Sequence, residues 1–111
     1  MNNPKFVLFK STKNNEYYFR LQAANGEPIL ASEGYTTKQN CENGIDSVKN
    51  HAPYDSNYER KDNIGNYTFN LKATNNQVIG RSENYTSSQG RENGIDSVKR
   101  NAPIAPVEDL T

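Results

Sequence analysis

Glu42-Asn43-Gly44-Ile45-Asp46-Ser47-Val48-Lys49 recurs, letter for letter, as Glu92-Asn93-Gly94-Ile95-Asp96-Ser97-Val98-Lys99, 50 residues further along the chain. Extended outward, residues 16–53 lie on residues 66–103 without a gap, and 21 of the 38 positions are identical. The sequence is a tandem duplication, so both halves are expected to share one fold. A unit of about 50 residues buries too little surface to stand comfortably alone. The halves are therefore expected to complete each other in a single domain over residues 1–111, with repeats at about 5–54 and 55–111.

The repeated octapeptide reads as the middle of a helix. Cys41, Gly44, Ile45, Val48 and Ala52 fall on one stripe, answered by Gly94, Ile95, Val98 and Ala102. Thr36 with Gln39, and Thr86 with Gln89, match the capping-box pattern at a helix start. Tyr35 and Tyr85 stand at the hydrophobic-staple position, although the facing positions hold Asn40 and Gly90. Lys49 and Lys99 lie in the last turns, where they favour the negative end of the dipole, and Pro53 and Pro103 close the helices. Glycine in a helix interior costs about 1 kcal/mol relative to alanine. Its presence in both copies predicts a helix backbone pressed against the sheet or the twin helix.

Strands flank the helix. Lys5-Phe6-Val7-Leu8-Phe9-Lys10 is a short apolar run ending at a polar turn. Tyr17, Phe19, Leu21 and Ala23 alternate with Tyr18, Arg20, Gln22 and Ala24, which is the pattern of a strand with one buried face. The copy keeps the inward set as Tyr67, Phe69, Leu71 and Ala73 and changes the outward set to Thr68, Asn70, Lys72 and Thr74. Turns at Asn25-Gly26 and Asn75-Asn76 then reverse the chain. A three-residue loop with a glycine bulge would set Leu21 opposite Ile29 and Leu71 opposite Ile79, and is preferred to a two-residue loop because isoleucine is then inside in both halves. Asn57 to Arg60 align with Val7 to Lys10, and Val107 to Leu110 lie where a third copy would begin. Each half thus reads as three strands, a helix and a strand, with the trailing strand free to pair with the other half.

Composition narrows the classes. Apolar residues make up 32% of the chain and the mean hydropathy is −1.01, yet the apolar positions keep a structural period, so a folded chain with a thin core is expected. Residues 1–55 carry six charges of each sign and residues 56–111 seven of each. No basic arm or acidic tail is present, and bulk attraction to nucleic acid or membrane has no support. The single Cys41 excludes an internal disulfide, and Met1 to Lys5 lead into only four apolar residues, too few for a signal peptide or a membrane span. A cytoplasmic monomer is expected, the second repeat occupying a partner's place.

These motifs together resemble a known family. An Ala-Ala-Asn-Gly turn, Ser-Glu-x-Tyr, Glu-Asn-Gly-Ile-x-Ser-Val-Lys and Asn-Ala-Pro, repeated and closed by Val-Glu-Asp-Leu-Thr, are similar to the YegP-like bacterial proteins of unknown function. The resemblance implies an α+β fold: two β-β-β-α-β repeats forming one antiparallel sheet, two helices on one face, and C-terminal strands exchanged between repeats. It also implies short one-repeat members that pair as homodimers. It supplies no catalytic residue, substrate or cofactor. Pro28, Cys41 and Asn76 depart from the usual pattern and bear on local strand pairing rather than the fold.

Three functional readings compete. Glu33, Glu42, Asn43, Asp46 and Lys49, with Glu83, Glu92, Asn93, Asp96 and Lys99, could form an enzyme site if they converged on a local twofold axis. The plainer reading makes them solvated helix residues, with Asp46 reaching Lys49 and Asn43 bonding nearby backbone. His51 reads as a helix-end imidazole and Cys41 as a small buried residue, since no second metal-ligating side chain accompanies either. The outward set Tyr18, Arg20 and Gln22 beside Thr68, Asn70 and Lys72 could offer a surface for single-stranded nucleic acid. The favoured reading is a non-catalytic module that meets a protein or small-molecule partner. Its candidate contacts are Tyr18, Arg20, Tyr35, Tyr54 and Tyr85. No cofactor or metal is expected.

Overall fold

The computed structural model describes residues 3–111. In chain order the elements are β1 (Lys5–Lys10), β2 (Tyr17–Gln22), β3 (Pro28–Ala31), α1 (Lys38–His51), β4 (Tyr58–Asn63), β5 (Asn66–Lys72), β6 (Val78–Arg81), α2 (Ser88–Asn101) and β7 (Val107–Asp109). The seven strands form one sheet in the order β4-β5-β6-β3-β2-β1-β7. The helices lie on one face and bridge the halves: α1 packs on β2 and β6, and α2 on β5 and β3. Phe6, Leu8, Phe19, Leu21, Leu30, Tyr58, Phe69 and Leu71 form one buried cluster with Cys41, Ile45, Val48, Ile95 and Val98. The opening reading at Met1 and Asn2 falls outside the described residues.

The halves meet where β3 pairs with β6 and Ala31 faces Arg81, its own repeat equivalent. A local twofold axis therefore runs through that pair. There is room for one side chain beside it. A Cβ built on Gly80 would stand 2.6 Å from Leu30 Cγ, which accounts for leucine in one repeat and glycine in the other.

Several expectations are corrected. The turn loop has three residues as expected, closed by Ala23 N–H donating to Glu27 O at 2.8 Å, with Gly26 at φ 87° and Asn76 at φ 71°. A further irregularity follows, however. Leu21 faces Leu30 and Gln22 faces Pro28, leaving Ile29 as an extra residue, and Leu71 likewise faces Gly80. This bulge lets Ile29 and Leu30, adjacent in sequence, both be buried.

The rigid offset of 50 also fails at the opening strands. Tyr58 faces Leu71 as Phe6 faces Leu21, an offset of 52. The first hairpin loop runs from 11 to 16, whereas Ile64 and Gly65 alone join β4 to β5. Tyr58 accordingly meets Phe69 edge-on at 5.7 Å, as Phe6 meets Phe19 at 5.9 Å. Finally, the sheet is mixed rather than wholly antiparallel: β7, which follows the second helix, joins β1 of the first half in parallel.

Each helix starts one residue later than its capping-box pattern indicates. Thr37 Oγ1 accepts from Asn40 N–H at 3.1 Å, and Ser87 Oγ from Gly90 N–H at 3.0 Å. The displaced start frees Tyr35 and Tyr85 to bridge to Tyr17 and Tyr67 through paired backbone bonds. Their rings then run beneath the helices. The surface that presses on Gly44 is Tyr35, with Phe19 beside it, rather than the twin helix.

Candidate functional site

Directly paired residues share a face of a sheet. Val7, Arg20, Ala31, Arg81, Asn70 and Glu59 therefore form one row across six strands, and Glu108 extends it onto β7. Phe19 and Leu21, which alternate with Arg20, are fully buried under the helices, so this row lies on the helix-free face. Most of its charges are answered. Lys5 pairs with Glu108 at 2.8 Å, Lys72 with Glu59 at 2.9 Å, and Arg81 with Glu33 at 2.5 Å.

Arg20 has no carboxylate partner among the described residues. Its guanidinium carbon sits 4.6 Å from the centroid of Phe9, an attractive cation–π distance. Phe9 stacks in turn on Tyr18, with centroids 5.8 Å apart and planes 18° apart, and Tyr18 Oη accepts from Asn14 Nδ2 at 2.8 Å. Two aromatic rings and an uncommitted cation thus adjoin on an uncovered face.

The other proposed contacts lie elsewhere. Tyr35 and Tyr85 are half-buried, stacked on Phe19 at 6.3 Å and on Phe69 at 6.5 Å, and burial raises both phenol pKa values. They are packing residues first. Tyr35 still lines a shallow groove at the junction of the halves, with Glu33, Ile79 and Arg81. Tyr54 stands 62% exposed just after α1. The structure therefore joins Tyr18 with Arg20 and leaves the remaining three tyrosines apart from them.

The helix acids Glu42 and Glu92 do not converge, while Glu33 is held by Arg81 at the junction of the halves. Glu42 and Asp46 border Val107 at the β7 edge of the sheet. Glu92 meets Arg60 of β4, at the opposite edge, with Nε–O 2.9 Å. Nor does Lys49 pair with Asp46: it donates to Ala105 O at 2.8 Å and lies over Phe6. Asn43 accepts from Gln39 Nε2 rather than from backbone.

His51 is satisfied at both nitrogens. Nδ1 lies 2.7 Å from Ser47 O, which can only accept, so Nδ1 carries the proton and Nε2 accepts from Thr74 N–H at 3.4 Å. Burial, and secondarily Glu42, push the Cys41 thiol up to about 11, a value that keeps it protonated and unreactive at neutral pH. Among the described residues no group of histidine, cysteine and carboxylate side chains is arranged to hold a metal ion.

One constellation went unread in the sequence. Lys99, Asp55, Arg60, Glu92, Arg91 and Asp62 form a continuous chain of ion pairs that ties α2 to β4 and to the turn before it. Arg91 is 5% exposed at the position of Cys41, and Arg60 faces Phe69 as Leu8 faces Phe19. At the corresponding positions of the first half, Leu8 and Cys41 are buried in the apolar cluster. The available signal was the exchange of Cys41 for Arg91.

The sequence profile of the "domain of unknown function (DUF1508)" matches twice, at residues 12–59 and 62–109. A UPF0339 protein from the 5′ region of the ptx operon of Stutzerimonas stutzeri is 59% identical over 49 residues, 44% of either chain. The UPF0339 protein YegP of Yersinia pestis is 51% identical over 57 residues, 51% of either chain. The matched stretch spans about half the length of these curated relatives. A UPF0339 protein of Treponema denticola is 47% identical over 49 residues, 44% of this chain and 83% of that one, so one repeat accounts for most of it. Solved structures match nearly end to end. The UPF0339 protein SO3888 of Shewanella oneidensis superposes with a TM-score of 0.91 at 42% identity, covering 98% of this chain and 92% of that one. The Escherichia coli protein of unknown function yegP gives 0.90 at 46% identity, covering 100% and 96%. With two profile matches that together take in most of its length, the chain belongs to the DUF1508 (UPF0339) family, whose function is unknown.

Proposed function

We propose that this protein is a non-catalytic binding module that meets a protein partner through the helix-free face of its sheet. The carrying observation is Arg20, stacked on Phe9 beside Tyr18 and without an acid of its own. Aromatic and arginine side chains are the groups most often central to protein interfaces. Glu33 is engaged by Arg81 and Glu92 by Arg60 and Arg91, and Glu42 lies at the opposite edge of the sheet from Glu92, an arrangement that favours binding over catalysis. We place the module in the cytoplasm, where a free cysteine such as Cys41 is stable, and as a monomer, because the second repeat itself supplies the strand that pairs with β3. A photo-crosslinking amino acid at Gln22, two residues from Arg20 on the same face, compared with one at Asn50 on the exposed side of α1, tests the reading in living cells. A discrete adduct from position 22 alone is expected. No adduct there, or the same adducts from both positions, would overturn it.

A further inference from the structure

We infer that the partner taken by this face is an extended, acidic polypeptide segment; the inference rests on the binding-module reading and narrows its ligand. Charge is the first argument. The strands place Lys5, Arg20, Lys61, Lys72 and Arg81 on this face against Glu59 and Glu108, while Glu16 and Glu33 approach from its rim. Five cations thus face four acids: Glu59 is shared by Lys72 and Lys61, the latter at 3.9 Å, and Arg20 is the one cation of the five without an ion pair among the described residues. A chain of zero net charge therefore shows its surplus cation here.

Spacing is the second argument. Arg20, Ala31 and Arg81 are consecutive in one row, on β2, β3 and β6. Neighbouring strands lie about 4.8 Å apart, so the two arginines rise about 10 Å apart over a methyl floor. An extended chain advances about 3.3 Å per residue. Carboxylates two to four residues apart on such a chain can reach both guanidinium groups, given the length of the arginine side chains. Glu33 already holds Arg81, so it acts as an internal competitor for the second carboxylate.

The aromatics decide between polymers. Stacking a nucleobase needs a free ring face. Phe9 is stacked by Arg20 and packed on Tyr18, and the matching strands of the second half present Thr68, Asn70 and Lys72, with no ring. A peptide needs only an apolar wall, which Phe9 and Tyr18 provide.

The test is a titration of isotope-labelled protein at low salt, followed by amide chemical shifts. The probes are a nine-residue peptide of alternating glutamate and serine, its glutamine counterpart, and an eight-residue oligothymidylate. The acidic peptide alone should move the amides of Tyr18, Arg20, Ala31 and Arg81. Arg20→Glu should weaken it about fivefold or more, Arg20→Gln less, and Glu33→Gln should tighten it. The unliganded spectra of the variants report that they are folded. Absent shifts, equal shifts from the glutamine peptide, or a stronger response to oligothymidylate would overturn the inference. Should those results coincide with a persistent crosslink from position 22 in cells, the binding face stands and its acidic ligand falls.

Discussion

At Gly44 the backbone of α1 lies close against the rings beneath it. A Cβ there would stand 2.5 Å from Tyr35 Oη and 3.1 Å from Phe19 Cε2, and Gly94 is pressed by Tyr85 in the same way. Alanine would favour an interior helical position by about 1 kcal/mol, but overpacking a well-filled site typically costs about 1–3 kcal/mol. Tyr35 is stacked on buried Phe19 and tied through its backbone to Tyr17, so it yields little. Gly44→Ala is expected to lower stability by about 1–2 kcal/mol in urea denaturation. A variant more stable than its parent would show that the ring moves aside. Leu30 and Gly80 give a second test at the local axis. Leu30→Gly should lose about 2–5 kcal/mol through the cavity it leaves, and Gly80→Leu should be destabilising through its clash. Because the positions are related by the axis, the exchange Leu30→Gly with Gly80→Leu should recover a large part of either loss. A double variant as unstable as the sum of the single changes would remove the axis from the explanation.

At the scale of the element, the helix starts offer a comparison inside one short segment. Thr37 Oγ1 accepts the Asn40 N–H, whereas Thr36 is exposed and makes no cap. Thr37→Ala should cost about 1 kcal/mol, and Thr36→Ala should fall within about 0.5 kcal/mol of the parent. Chemical denaturation of the two variants measures the difference, and a reversed order would return the cap to Thr36. The misplaced cap shows what was legible. Both helices, the alternation in β2 and β5 and the inward faces of all four could be read, because a period repeated in two copies confirms itself. Single-residue events could not. Two overlapping hydroxyl positions fit one capping pattern, an extra residue at Ile29 resembles ordinary alternation, and a hairpin loop shortened to Ile64 and Gly65 breaks a fixed offset without a visible gap. The candidate surface was half legible. Tyr18 and Arg20 were assigned outward by period two, but Phe9 lies in the unbroken run Phe6 to Phe9, which has no polar residue to say which side faces water. Tyr35 and Tyr85 looked like contacts because a sequence cannot distinguish a ring under a helix from one beside it.

Across the whole molecule, the two edges of the sheet are fastened by different means, and acid should loosen both. At the β4 edge, hydrogen bonds from Arg60 and then Lys99 hold the Asp55 carboxyl down to about 2, from an ordinary value of 3.8. At the β7 edge, Lys38 and then Thr111 hold Asp109 to about 2 as well. Both folded values lie below the unfolded ones, so each group contributes stability that is present in full above about pH 4. That contribution drains away as the pH falls through 4 toward 2. Each carboxylate is largely exposed, so each share is small and weakened by salt. The urea midpoint should therefore hold nearly level from neutral pH to about 4 and then fall. Asp55→Asn and Asp109→Asn should each begin lower at neutral pH and fall less steeply in acid, and high salt should narrow their difference from the parent. The β7 edge should respond more visibly. Beyond its short parallel ladder on β1, β7 is fastened by Lys5–Glu108 and Lys38–Asp109, whereas β4 keeps buried Tyr58, whose hydroxyl donates to Ala52 O at 2.7 Å. Amide hydrogen exchange near pH 3 should then rise at Phe6 and Leu110 before it rises along β4 and β5. Carboxyl titration midpoints near 4 for Asp55 and Asp109 in the folded protein, or simultaneous opening of both edges, would refute this account of how the sheet is closed off at its ends.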